Sequence, residues 1–96
     1  MSKLSDAEIA EAIPGVPGWM VVEEEGMKRL QKSFMFDDFA AALEFTNKVG
    51  NLAEAENHHP RIVTEWGSVT LTWWSHEQGG MVAADIEIAK KVDSLS

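Results

Sequence analysis

Three histidines, His58, His59 and His76, are all the imidazoles of this chain, and they share one short stretch with Pro60 and Trp66. Imidazole is the only side chain that titrates near neutrality without help, so such a cluster points to proton transfer or to ligand binding. Carboxylates are at hand. Glu54 stands one helical turn before His58, and Asp85 follows His76. Either could hold an imidazole in one tautomer, and Asp85 could instead touch a ligand. Zinc is the competing chemistry, because histidine and carboxylate are zinc ligands by type. The spacing argues against it: adjacent histidines rarely reach one ion, no His-x-x-x-His pair occurs and cysteine is absent. No metal is expected.

The elements that must carry these residues can be read from punctuation and period. A first helix is expected at about Asp6–Ala12, where Ser5 and Glu8 fit a capping box and Leu4 and Ile9 a hydrophobic staple. Pro14, Gly15, Pro17 and Gly18 then break the chain. Residues 19–24 are rich in β-formers, and Gly26 permits a tight turn into residues 29–36, which makes an antiparallel hairpin. In its second arm Leu30, Phe34 and Phe36 share a parity with Lys32, while Arg29, Gln31 and Ser33 point the other way, so one face is expected covered and the other wet.

From Asp38 the period changes to about 3.6, with Phe39, Ala42, Leu43, Thr46, Val49, Gly50 and Ala53 on one stripe of a helix roughly five turns long. Asp37 is its expected cap, and Pro60 sets its end near Asn57, which leaves His58 and His59 at the helix exit. Residues 61–66, Gly67 and residues 68–75 read as a second hairpin, with Val69, Leu71 and Trp73 on one face and Thr70, Thr72 and Trp74 on the other. If the alternation continues, His76 joins the second face. Gly79 and Gly80 turn the chain into a last helix with Val82, Ile86, Ala89 and Val92 on its apolar stripe and Lys90 and Lys91 at its end. The expected fold is α+β in the order α-β-β-α-β-β-α, a four-stranded antiparallel sheet with helices on one face. Trp19 and Trp73 are assigned to the core; Trp66 and Trp74 are left open.

Composition bounds the rest. Ninety-six residues make a single domain, 1–96, with one core. Eight Lys and Arg against 16 Asp and Glu give a net charge of −8, so direct nucleic-acid binding is not expected. Absence of cysteine excludes disulfides and thiol catalysis. Residues 1–13 carry Asp6, Glu8 and Glu11 and no apolar core of a secretory signal, and no run reaches membrane-spanning length. A cytoplasmic protein without membrane association is expected.

Glu54, His58, His59, Pro60, Trp66, His76 and Asp85, in this spacing, resemble the signature of the pterin-4a-carbinolamine dehydratases. The order of elements is similar across nearly the whole chain. Gly18 and Trp19 at the first strand, the run of Phe34, Phe36 and Phe39, and Ser75, His76 and Glu77 add to the likeness. The resemblance implies a carbon–oxygen lyase, a 4a-hydroxytetrahydrobiopterin dehydratase of tetrahydropterin recycling. It would eliminate water from a 4a-hydroxytetrahydropterin left by aromatic amino-acid hydroxylases, giving the quinonoid dihydropterin. It assigns His58 and His76 as the acid and base pair, His59 as an orienting residue sharing proton work, and Glu54, Pro60, Trp66 and Asp85 as substrate-binding residues. It implies no cofactor, a homodimer or homotetramer, and a hydroxylase as pathway partner. Many members carry an aspartate, an aromatic and a basic residue where this chain has Asn57, Ile62 and Ala84. Trp66, Trp73 or Trp74 would then supply the stacking wall for a flat pterin.

Relatives on this fold also serve as a dimerisation cofactor of a homeodomain transcription factor or as assembly factors, so a non-catalytic interaction module is the alternative. The complete histidine set separates the two, since a pure scaffold has no physical use for it. A second copy is expected to cover an exposed sheet edge or the strand at 29–36.

Overall fold

The computed structural model describes residues 2–96. Helix α1 (Asp6–Ala12) opens with the expected reciprocal cap: Glu8 N donates to Ser5 Oγ at 3.1 Å and Ser5 N donates to a Glu8 carboxylate oxygen at 2.8 Å. A single 3₁₀ turn (Ile13–Gly15) leads to strand β1 (Met20–Glu24) and strand β2 (Met27–Met35). Their connection is only Glu25 and Gly26, with φ of 54° and 73°. Positive φ at both central residues is the two-residue turn whose twist matches paired strands, so the ladder closes at Glu24↔Met27. Strand β2 therefore begins two residues before the expected Arg29.

Helix α2 (Phe39–Glu56) carries the chain over the sheet to β3 (Arg61–Glu65), then β4 (Ser68–Trp73) and helix α3 (Ala83–Asp93). The sheet is antiparallel in the order β1-β2-β4-β3, and the element order is the expected one. Strand β4 lies between β2 and β3, so β2 has both sides paired and offers no edge to a second copy; the edges are β1 and β3. Gly67 permits the β3–β4 turn to close on β2, because a Cβ there would meet the Phe36 carbonyl at 3.2 Å.

Two details of α2 differ from expectation. Its cap is Asp38, whose side chain accepts from Ala41 N at 2.8 Å, not Asp37. Its buried residues are Ala42, Phe45, Val49 and Ala53, while Phe39 and Leu43 stay half exposed. Apolar residues cover more than one face of this helix, and the sheet selects the face whose Phe45 packs on Phe34 and Phe36, with ring centroids 4.7 and 5.2 Å away. The core continues through Leu30, Val69, Leu71 and Trp73 on the sheet and Ile86, Ile88, Ala89 and Val92 on α3. Lys32 shares that face but reaches out to Asp93 at 2.9 Å, which also accepts from Trp19 Nε1 and so ties the end of α3 to the sheet.

The opposite face is not simply wet. Arg29 and Thr72 are almost fully buried there, at 2% and 1% exposure.

Candidate active site

All three histidines lie beyond the same end of the sheet, two before the start of β3 and one past the end of β4. The exit of α2 delivers His58 and His59 just before Arg61, which pairs with Thr72 near the end of β4. The helix is ended by Asn57, which takes left-handed φ and ψ of 51° and 43°; His58 N then bonds back to Ala53 O at 3.1 Å. Asparagine tolerates this conformation better than a residue with an ordinary Cβ. Asn57→Ala is accordingly expected to lower unfolding free energy by about 1–2 kcal/mol in denaturant titration, whereas Asn57→Gly leaves it unchanged or higher.

This reversal separates the two imidazoles. His58 turns inward, where its Nε2 lies 2.5 Å from Asp85 Oδ1 and its ring stacks on Trp73 with centroids 5.5 Å apart and planes within 18°. Asp85 and Trp73 are both at 0% exposure. The second oxygen of Asp85 accepts from Val82 N at 2.8 Å and so caps α3. Both oxygens are thus engaged within the protein, and Asp85 is placed to orient His58 rather than to meet a ligand. Burial pushes its carboxyl above the ordinary aspartate range, against the Val82 amide and His58, which pull it down.

His59 turns outward, and its Nε2 pairs with Glu54. Glu54 thus holds an imidazole, but that of His59 and not of His58 one turn on, because i,i+4 neighbours face each other only while the helix continues. Pro60 sits between His59 and the first residue of β3.

His76 does not end a strand. β4 stops at Trp73, and Ser75 pairs with Gly80 instead, closing a turn in which Gly79 N and Gly80 N both donate to Ser75 O, at 3.0 and 3.1 Å. Gln78 N adds a bond to Ser75 Oγ at 3.3 Å. His76 is exposed on this turn. Three residues of chain place its Cα within about 11 Å of that of Trp73, the residue on which His58 stacks.

Trp66 is not brought to this group. It occupies the β3–β4 turn at 70% exposure, about 16 Å along β3 from the histidine end. A cleft of about 210 Å³ is lined in part by Lys3, Lys28, Gly79 and Met81, and none of the histidines lines it. Among the described residues no three His, Asp or Glu side chains are arranged to hold a metal ion.

The sequence places Trp73 in the core but not against His58, offers Trp74 only as one of three possible stacking walls, and gives Arg29 no part in the site. The fixed parity of β4 was the available signal for Trp73, since it puts that ring on the face α3 covers.

A sheet with an α2-like crossover and a histidine pair at the crossover's exit defines the class, and comparison with known proteins gives the family. The chain belongs to the pterin 4 alpha carbinolamine dehydratase family, whose model matches residues 2–95. It is 52% identical over 94 residues to a Chlorobium limicola protein named, provisionally, as a pterin-4-alpha-carbinolamine dehydratase; the match covers 98% of this chain and 83% of that one. The crystal structure of a transcriptional coactivator/pterin dehydratase from Brucella melitensis superposes with a TM-score of 0.88 at 30% identity, covering 98% of both chains. A pterin dehydratase-like protein identified as a RuBisCO assembly factor in the alpha-carboxysome gives 0.67 at 25% identity, covering 81% of this chain and 88% of that one. No helix among the described residues is long and apolar enough to cross a membrane.

Proposed function

We propose that the chain is a dehydratase that eliminates water from a 4a-hydroxytetrahydropterin by histidine acid and base catalysis, in tetrahydropterin recycling. The observation that carries this reading is the buried Asp85–His58–Trp73 stack. An ionised carboxylate only accepts, so His58 Nε2 holds its proton toward Asp85 and Nδ1 presents a lone pair. In the proposed step His58 Nδ1 takes the proton from N5 of the pterin, the N5 electron pair forms the C4a=N5 double bond, and the C4a–O bond breaks. The departing hydroxyl takes a proton from His76 and leaves as water. The two imidazoles then exchange the proton through solvent, and no net oxidation occurs. His59, held by Glu54, and Pro60 border the substrate. Trp66 has a place in this site only if a second copy brings its own Trp66 to the histidine end.

In this reading the protein acts in the cytoplasm as a homodimer or homotetramer, beside a hydroxylase that supplies its substrate. The half-exposed or exposed Met35, Phe39, Leu43 and Trp66 at the other end of the sheet are the surfaces a second copy would cover. The same residues, with the likeness to a RuBisCO assembly factor, favour the second reading, a non-catalytic assembly module. Generating the 4a-hydroxy compound with a hydroxylase and following its ultraviolet decay separates the two. Acceleration by micromolar protein is expected. Decay at the uncatalysed rate leaves the assembly reading.

A further inference from the structure

Arg29 is a buried cation far from any obvious use. Its exposure is 2%, and it lies on the sheet face that carries no helix. Its guanidinium sits 3.9 Å from the centroid of the Trp74 ring, and that of Arg61 lies 5.5 Å from the same centroid. Glu24 spans the two arginines: one oxygen is 2.7 Å from Arg61 Nη2 and 3.8 Å from Arg29 Nη1. Arg29 Nη2 also donates to the Glu24 carbonyl and to Glu25, each at 3.2 Å. The cluster therefore takes Glu24 from β1, Arg29 from β2, Arg61 from β3 and Trp74 from the residue just beyond β4. Stacking rather than hydrogen bonding holds the indole, since Trp74 Nε1 and Arg29 Nε find no acceptor among the described residues.

Stability gives no reason for this arrangement. A buried ion pair replaced by apolar side chains of similar size is commonly neutral or stabilising, and Glu24 and Glu25 retain access to water, with side chains 40% and 78% exposed. What the stack does control is the exit of β4. Trp73 is the last residue of the ladder, paired with Leu30, and the turn from Ser75 to Gly80 is closed by its own hydrogen bonds. Trp74 is the link between these two rigid pieces. The turn also lies over β2 beside Arg29, because a Cβ on Gly80 would stand 3.6 Å from the Lys28 carbonyl. We propose that Arg29 is a positioning residue: by clamping Trp74 it sets the orientation of the Ser75–Gly80 turn and hence of His76 relative to His58. The inference rests on the acid and base roles proposed for those histidines.

The test uses Arg29→Met, with Trp74→Leu as the second variant should the first fail to fold. Expected for a folded variant are an unchanged or higher thermal midpoint, a fall in kcat of about tenfold to a hundredfold with KM little altered, and faster amide exchange at Gly79 and Gly80. Arg29→Met combined with His76→Ala should be no slower than His76→Ala alone, because both act through one imidazole. Unchanged exchange and turnover in folded Arg29→Met overturn the proposal. So do effects of the two substitutions that simply multiply. If the wild-type protein accelerates no dehydration, the functional reading fails by itself, and amide exchange at Gly79 and Gly80 still decides whether Arg29 holds the turn.

Discussion

His76→Ala is expected to lower turnover of a 4a-hydroxytetrahydropterin by about 10²–10⁴ while changing unfolding free energy by no more than about 0.5 kcal/mol. The two magnitudes diverge because the ring is exposed on its turn, and among the described residues no hydrogen bond holds it. The turn is built by Ser75, Gly79 and Gly80 through backbone and hydroxyl bonds that the substitution leaves intact. Paired kinetic and denaturation measurements check this directly. A variant that keeps more than a tenth of wild-type turnover would remove His76 from the proton pathway.

His58→Ala is a less clean probe. Removing that ring leaves the Asp85 carboxyl at 0% exposure with only the Val82 amide as partner, and opens a gap against Trp73. Loss of one partner of a buried polar pair costs about 1–3 kcal/mol. The two histidines thus differ in what they support, although they look alike in the sequence.

Much of the scaffold was legible because its signals are local. Ser5 and Glu8 cap α1 through groups three residues apart, and Gly26 marks the first hairpin. The alternation of Val69, Leu71 and Trp73 needs no partner to be read. What escaped depends on how elements meet. The seam of α2 rotates toward Phe45 because Phe34 on β2 and Phe36 just past its end await it, and a helix that is apolar on more than one side does not announce that choice. Parity alone makes Arg29 a solvated strand residue, and the approach of Trp74 from just beyond β4, with Arg61 of β3 on the same ring, is not encoded in it. Within the site the histidines and Asp85 stand out by type, yet the pairing of Glu54 with His59 turns on the left-handed backbone of Asn57, which side-chain spacing does not encode. Trp66 fits the family spacing and still lies at the other end of β3, because five strand residues carry it there.

Asp85→Asn is expected to remove about 10²–10⁴ of turnover without unfolding the chain, by changing which ring nitrogen of His58 carries the proton. The wild-type carboxylate accepts twice, from Val82 N and from His58 Nε2. A carboxamide has one acceptor oxygen, and the Val82 amide, fixed by the start of α3, claims it. The amide nitrogen then faces Nε2, which must become an acceptor. The ring proton moves to Nδ1, where the proposed base needs a lone pair. Dependence on pH gives an independent check. Burial, opposed by Val82 and His58, raises the Asp85 pKa above the usual 3.8, so wild-type stability should carry a pH dependence that the variant lacks. The stability linkage has a definite sign. The folded chain binds this proton more tightly than the unfolded chain does, so the contribution of Asp85 is full below 3.8 and is lost as pH rises through its raised folded value. Unfolding free energy of the wild type minus that of the variant should therefore fall across that window. Wild-type turnover in the variant at neutral pH would detach Asp85 from the chemistry of His58.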